Sequence, residues 1–351
     1  MIYDYLIIGQ GLSGSVLAYL LHKAKKSVLV IGNDFSKSPS AISSGIFNPI
    51  TGRNLVKTWM AEELLACADA FYPALEQDLG ISVYSKSSMI RTIRSAREMN
   101  DYSVRSGQAE YQGILGETLI ELDPKKYGEM EGAYEIGQVR QLDIKTLCLS
   151  IHQYLKDNHA INELQFNHNE LCIDETTVSF GNIHAANIIF CEGALVQENP
   201  YFSHLPFIIA KGELIHIQTE ELDQDFLLNS HKVLMPLGQD KYWYGGTFSW
   251  DKDKAPITEH GRAELELELK ETIKTPYKVL QHLGADRPTI KDRRPVMGAH
   301  QKHKNMYIFN GMGTKATSLI PYFGKEFIEH LLMSKPIMKE VDVVRFYSST
   351  T

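Results

Sequence analysis

The pattern of apolar and polar positions is clearest at the start of the chain. Tyr5 to Ile8 is an uninterrupted apolar run, Leu12, Val16, Leu17, Leu20 and Leu21 recur at helical spacing, and Ser27 to Ile31 is again apolar. A run with no polar alternation predicts a strand buried on both faces, and the 3.6-residue repeat predicts a helix with one buried face. Strand, helix and strand within about 30 residues predict a right-handed crossover and a parallel pair. Met60 to Leu79 is helical by the same criterion, with Pro73 as a kink and Gly80 as its end, and Asp143 caps a helix over Asp143–Asp157. Ala186 to Cys191 predicts a further central parallel strand running into the turn Glu192–Gly193–Ala194.

The texture changes over 207–250. Glu213–Gln218, Lys232–Met235 and Lys241–Tyr244 are short strand patterns separated by turn residues, the signature of an antiparallel meander. A charged helical stretch is expected from Ile257 to about Leu283, then a buried strand over Met306–Phe309, a turn at Gly311–Met312–Gly313 and an amphipathic helix over Leu319–Leu332. Pro321 requires that helix to begin near Ser318, which keeps the proline in the first turn. These elements define an α/β chain in which a nucleotide-binding domain, built from both ends, is interrupted by a smaller α+β domain with a mixed, largely antiparallel sheet. The expected limits are 1–80, 136–206 and 288–351 for the first domain, and 81–135 and 207–287 for the second.

Composition narrows the classes. The 351 residues carry a formal charge of −7, so no basic field advertises nucleic acid or an anionic membrane. No apolar run approaches the ~20 residues that span a bilayer. The N-terminus enters a strand without a basic leader or cleavage site, which gives a cytoplasmic expectation. Cys67, Cys148, Cys172 and Cys191 are far apart, which predicts four buried or partly buried thiols and neither a zinc site nor a disulfide framework. The scattered histidines have no metal-ligand spacing.

Gly9–Gln10–Gly11–Leu12–Ser13–Gly14 is a G-x-G-x-x-G between the first strand and the first helix. Gly9 permits the tight turn, Gly11 lets backbone approach a pyrophosphate, and Gly14 lets helix and strand pack closely. Free N–H groups at the helix start, Leu12 and Ser13 among them, then face the phosphates. The acid that usually closes the second strand and binds ribose is replaced by Gly32, which leaves Asn33, Asp34 or backbone groups for the ribose.

The glycine motif does not separate NAD from FAD. Ser40–Pro49, Cys191–Ala194, Asp292–Gly298 and Gly311–Lys315, in this order, resemble the D-amino-acid oxidase/glycine oxidase superfamily of flavoproteins. Ser44–Pro49 and Gly311–Ala316 are also similar to the C-terminal oxidase domain of the bifunctional wobble-uridine tRNA-modifying enzyme. The resemblance implies a Rossmann-like domain holding non-covalent FAD, with Ser43, Ser44 and Gly45 along the flavin and pyrophosphate and Gly193 and Gly298 at the cofactor. It puts Gly311, Gly313, Thr314 and Lys315 by the flavin pyrimidine ring, where a helix N-terminus would stabilise negative charge on the reduced ring. Arg287, in Gly284–Pro288, stands where amino-acid oxidases bind the substrate carboxylate, a task suited to a planar two-pronged donor. Tyr242, Trp243 and Tyr244 offer walls for the substrate, and Tyr244 is assigned to them. Arg53 lines the same space or is a solvated loop charge.

The implied activity is oxidation of the C–N bond of an amino acid or secondary amine by hydride transfer to FAD, with a small-molecule partner and no role for nucleic acid. Two alternatives remain open: a tRNA wobble-uridine-modifying oxidase, and a redox-sensing flavoprotein without turnover.

Overall fold

The computed structural model describes residues 2–32, 35–223, 225–250 and 256–347. The first apolar run forms the strand Ile2–Ile8, which pairs in parallel with Val28–Ile31 on one side and with Ile183–Phe190 on the other; Leu6 stands opposite both Leu29 and Ile188. Ile161–Asn162 and Met306–Asn310 extend the parallel sheet at its two sides, and Val296–Ala299 closes one edge antiparallel. Start, middle and end of the chain therefore meet in one sheet, as the buried apolar runs require.

Helices Leu12–Lys23, Ala61–Leu79, Ile144–Asp157 and Ala316–Met333 cover one face of this sheet. Aromatic residues fill the other, among them Phe180, Phe190 and Phe202. Gly80 ends the second helix in the left-handed region (φ 67°), and the Asp143 carboxylate accepts from Thr146 N–H, as expected of these caps.

The second sheet has eight strands. Its edge strand Lys278–Ile290 pairs with Phe207–Gln218, which pairs with Lys241–Gly245, then Val233–Gly238 and Leu227–Asn229. Tyr84–Ile93, Gly132–Leu142 and Ile46–Phe47 complete it. One junction is parallel, Leu227–Asn229 against Tyr84–Ile93, so the sheet is mixed and largely antiparallel. Because Gly132–Leu142 stays in this sheet to its end, the passage between the two sheets falls at Leu142 rather than at 136. Helix Glu259–Thr272 packs on the rear face through Leu265 and Leu269.

Three local expectations change. The helical pattern after Ile257 stops at Thr272, and Lys278–Ile290 is a strand. Pro276 blocks helix continuation, and pairing along Phe207–Gln218 supplies backbone partners over the whole length of that strand. Cys172 is exposed rather than buried, whereas Cys148 is enclosed and burial pushes its thiol up to about 12.

The last helix begins at Ala316, so Pro321 lies beyond the first turn. Proline has no N–H for the carbonyl four residues back, that of Thr317. The buried Tyr72 hydroxyl donates to this carbonyl at 2.7 Å, and the vacancy is filled from the neighbouring helix. Tyr72→Phe leaves the Thr317 carbonyl unsatisfied and is expected to destabilise the fold by about 1–2 kcal/mol. Urea unfolding of the two proteins measures this; unchanged stability would mean that the carbonyl needs no such donor.

Candidate active site

A cavity of about 550 Å³ runs along the C-terminal ends of the parallel strands and over the front of the second sheet. Its nucleotide end is built by the turn after Ile8. Gly9 adopts φ +101°, and a Cβ there would lie 2.5 Å from the Cys191 carbonyl oxygen. A Cβ on Gly14 would lie 1.9 Å from the Gly9 carbonyl oxygen, so helix and turn pack backbone to backbone. Gly11 occupies the N-cap without a side-chain acceptor of its own, and Leu12 N–H donates to Ser40 Oγ at 3.1 Å.

Gly9, Gly11, Leu12 and Ser13 all line the cavity, as do Ser43, Ser44 and Gly45. Gly14 stays behind them as the packing residue. Asn33 and Asp34, expected near the ribose, lie outside the described residues; Gly32 lines the cavity.

Gly193, Gly313, Thr314 and Arg287 also line the cavity. Gly298 and Gly311 do not. Gly298 (φ +130°) packs against Val343 and Asp342, and Gly311 (φ +79°) packs against Ile290, so both shape the strands behind the site.

Lys315 is likewise not a lining residue. It sits at the N-cap of the last helix, and its Nζ is 3.4 Å from Thr58 Oγ1. Burial, with Arg294 and Arg293 adding repulsion, holds its ammonium below the usual lysine range. The N-terminus of this helix still borders the cavity through Ala316 and Thr317. Arg53 is exposed and does not line the cavity.

The strand Lys241–Gly245 sends alternate side chains to opposite faces. Trp243 faces the cavity and donates its indole N–H to the Ile42 carbonyl at 2.9 Å, which ties the second sheet to the serine-rich segment. Tyr244 points to the rear, fully buried among the residues under helix Glu259–Thr272, with its hydroxyl 3.3 Å from Thr272 Oγ1. Tyr244, expected to wall the substrate, therefore does not reach the cavity, and Trp243 does, because the register Leu214↔Gly245 fixes the phase of the alternation.

Arg287 is the sole Lys or Arg among the described residues that line the cavity. Its Nη1 donates to the Thr247 carbonyl at 3.1 Å, and Phe248 presents its ring 5.7 Å from the guanidinium carbon. Among the described residues no carboxylate pairs with it, and burial alone lowers its pKa. Two glycines make room for it: a Cβ on Gly212 would lie 1.9 Å from Nη2, and one on Gly246 2.7 Å from the same atom.

Sequence reasoning missed Gly212 and Gly246. It also missed Asn310, whose Nδ2 donates to the Gly193 carbonyl at 2.9 Å and whose Oδ1 accepts from Gly311 N–H at 2.8 Å. The half-buried pair His168–Glu192 (2.7 Å) at the nucleotide end escaped notice as well. Only Glu192, beside the recognised Gly193, carried a positional signal.

The glycine turn, a helix start with glycine at its N-cap and a long cavity beyond it are what a dinucleotide flavin requires, and the residues present fit FAD. The family model "FAD dependent oxidoreductase" (DAO) matches residues 4–330, and the chain belongs to this family of FAD-dependent oxidoreductases. Solved structures with the same fold include glycine oxidase from Geobacillus kaustophilus, at 16% identity and TM-score 0.80 with 99% of each chain covered. Iminodiacetate oxidase from Chelativorans sp. BNC1 is 18% identical at TM-score 0.74, covering 95% of this chain and 96% of that one. Dithionite-reduced L-alpha-glycerophosphate oxidase from Mycoplasma pneumoniae, with FAD bound, is 14% identical at TM-score 0.76, covering 98% and 99%. Among the described residues no helix is long and apolar enough to cross a membrane, and no group of His, Cys, Asp and Glu has the geometry of a metal site.

Proposed function

We propose that this flavoprotein oxidises the C–N bond of an amino acid or N-substituted amino acid to an imine, which water then hydrolyses. The observation that carries the reading is Arg287, a half-buried guanidinium that lines the cavity without a carboxylate of its own. A desolvated, unpaired cation is costly and is satisfied by an anionic ligand. A substrate carboxylate meets it with parallel hydrogen bonds, which fixes the α-carbon relative to the cofactor.

FAD, when bound, supplies the acceptor for the two electrons and the hydrogen that leave the substrate. Gly9, Gly11, Leu12 and Ser13 would hold its pyrophosphate, Ser43, Ser44, Gly45 and Gly193 the portion between pyrophosphate and ring, and Gly313, Thr314 and the helix start at Ala316 the ring. Arg287 is the only ionisable side chain that the second sheet brings to the cavity among the described residues. This suits direct hydride loss from a neutral amine, since the nitrogen lone pair forms the new C=N bond and no side-chain base is needed at carbon. Trp243, Val233 and Leu214 keep that end apolar and exclude water from the reacting carbon.

The test is an anaerobic absorbance titration of the FAD-loaded protein against amino acids, N-substituted glycines and glycerol 3-phosphate. Bleaching of the visible flavin band by the amino-acid or N-alkyl class is expected. Bleaching by glycerol 3-phosphate alone would move the reaction to a C–O bond. No bleaching by any compound would favour the modified-RNA or redox-sensor readings.

A further inference from the structure

We propose that Phe248 and Trp250 form a subsite for a planar, apolar substituent on a substrate that carries one carboxylate, and that Glu213 is the positioning residue that holds this subsite over Arg287. The proposal rests on the carboxylate role of Arg287 and names the substrate class that the same site selects.

Phe248 and Trp250 are 50% and 55% exposed, and their rings meet edge to face with centroids 4.8 Å apart. Phe248 also lines the cavity and stands against the Arg287 guanidinium. Trp250 does not itself line the cavity but packs on Phe248 from outside it. One exposed ring beside a cation without a carboxylate partner, extended by a second ring, complements a ligand with a carboxylate at one end and an aromatic or flat apolar group next to it. The remaining walls at this end, Leu214, Val233 and Trp243, are apolar. With no second Lys or Arg lining the cavity among the described residues, a second carboxylate on the ligand gains nothing.

Glu213 lies on the rear of the strand whose front carries Gly212 and Leu214, and it is 2% exposed. It grips the chain on both sides of the aromatic pair. Its backbone N–H donates to Thr247 Oγ1 (2.9 Å), and its carbonyl accepts from Thr247 N–H (2.9 Å). Its carboxylate accepts from the Thr258 N–H (2.9 Å) and hydroxyl (2.8 Å) at the start of helix Glu259–Thr272. His282 Nε2 lies 2.8 Å from the same carboxylate. Gly261 gives it space, since a Cβ there would come within 2.5 Å of the carboxylate. Thr247, held in this way, is also the residue whose carbonyl accepts from Arg287. Glu213 thus meets the chain before the rings through its backbone, at Thr247, and the chain after them through its buried carboxylate, at Thr258.

The experiment titrates FAD-loaded protein with acetate, malonate and phenylacetate, with perturbation of the visible flavin band as readout. Wild type is expected to bind phenylacetate at least about tenfold more tightly than acetate, and malonate no more tightly than acetate. Phe248→Ala and Trp250→Ala should each weaken phenylacetate by roughly tenfold and leave acetate within about twofold. Glu213→Gln should lower the phenylacetate-to-acetate ratio in the same way, a change that loss of fold stability alone does not produce. Should Glu213→Gln fail to fold, the exposed Phe248 and Trp250 positions still decide the subsite.

Equal binding of acetate and phenylacetate by wild type, or equal losses of both probes in Phe248→Ala, would overturn the subsite. If Arg287→Ala abolishes acetate binding while wild type shows no preference for the ring, the subsite fails and the carboxylate reading stands. If Arg287→Ala binds acetate as wild type does, both fail.

Discussion

Arg287→Ala is expected to lower kcat/KM on the oxidised substrate by roughly 2–5 kcal/mol, about 30- to 5,000-fold at 25 °C. The expectation follows from the state of the guanidinium. It is half-buried, donates to one backbone carbonyl at 3.1 Å and lines the cavity. An anion placed there in a low-dielectric setting makes charge-assisted hydrogen bonds that a water-filled vacancy does not reproduce. A second measurement separates this role from an ordinary ion pair. Loss of a salt-bridged arginine destabilises a protein, but removing a desolvated cation with no carboxylate partner should leave the melting temperature unchanged or raise it. A fall in stability with intact kcat/KM would return Arg287 to a structural role.

Gly14→Ala is expected to cost the protein its cofactor. The added methyl would sit 1.9 Å from the Gly9 carbonyl oxygen, an overlap that only a backbone shift relieves. The helix would move off the strand and take with it the N–H groups and the Gly9–Gly11 turn that would meet the pyrophosphate. Overpacking of about 3 kcal/mol concentrated there weakens FAD by roughly 100-fold or more. Flavin retained through gel filtration, read as the ratio of visible to ultraviolet absorbance, reports the loss, and far-UV circular dichroism confirms that the chain still folds. Gly107→Ala, where the nearest atoms to an added Cβ are 3.8 Å away, is the matched control and should keep its flavin. Full flavin content in Gly14→Ala would show that the turn tolerates a wider helix.

Several elements were legible because a single local rule determined them. The run Tyr5–Ile8 is apolar on both faces and Ala186–Cys191 largely so, and only the middle of a parallel sheet buries both. The glycine hexad sits where strand becomes helix, and its backbone contacts follow from the absence of side chains.

The pattern Lys241–Tyr244 announced a strand, yet period-two alternation leaves the phase open, and Trp243 and Tyr244 exchange roles once Leu214 pairs with Gly245. Lys315 stands at the N-cap of a last helix that begins earlier than Pro321 suggested, and its long side chain had several directions to take; it reaches Thr58, which does not line the cavity. The stretch after Thr272 had a helical repeat until Pro276, and its strand exists because Phe207–Gln218 offers an unpaired edge.

The sequence by itself determined the chain's class: a nucleotide-binding α/β unit assembled from both ends, with a second sheet inserted in it. Backbone conformation, burial and glycine spacing are properties of neighbours in the chain, so they can be read along it. Tertiary structure decided which side chains converge on the cavity. The room that Gly212 and Gly246 leave for Arg287, the Tyr72 donor beneath Pro321 and the Glu213 clamp behind the aromatic pair all join residues distant in sequence. Such contacts depend on strand register and helix packing, which no local pattern encodes.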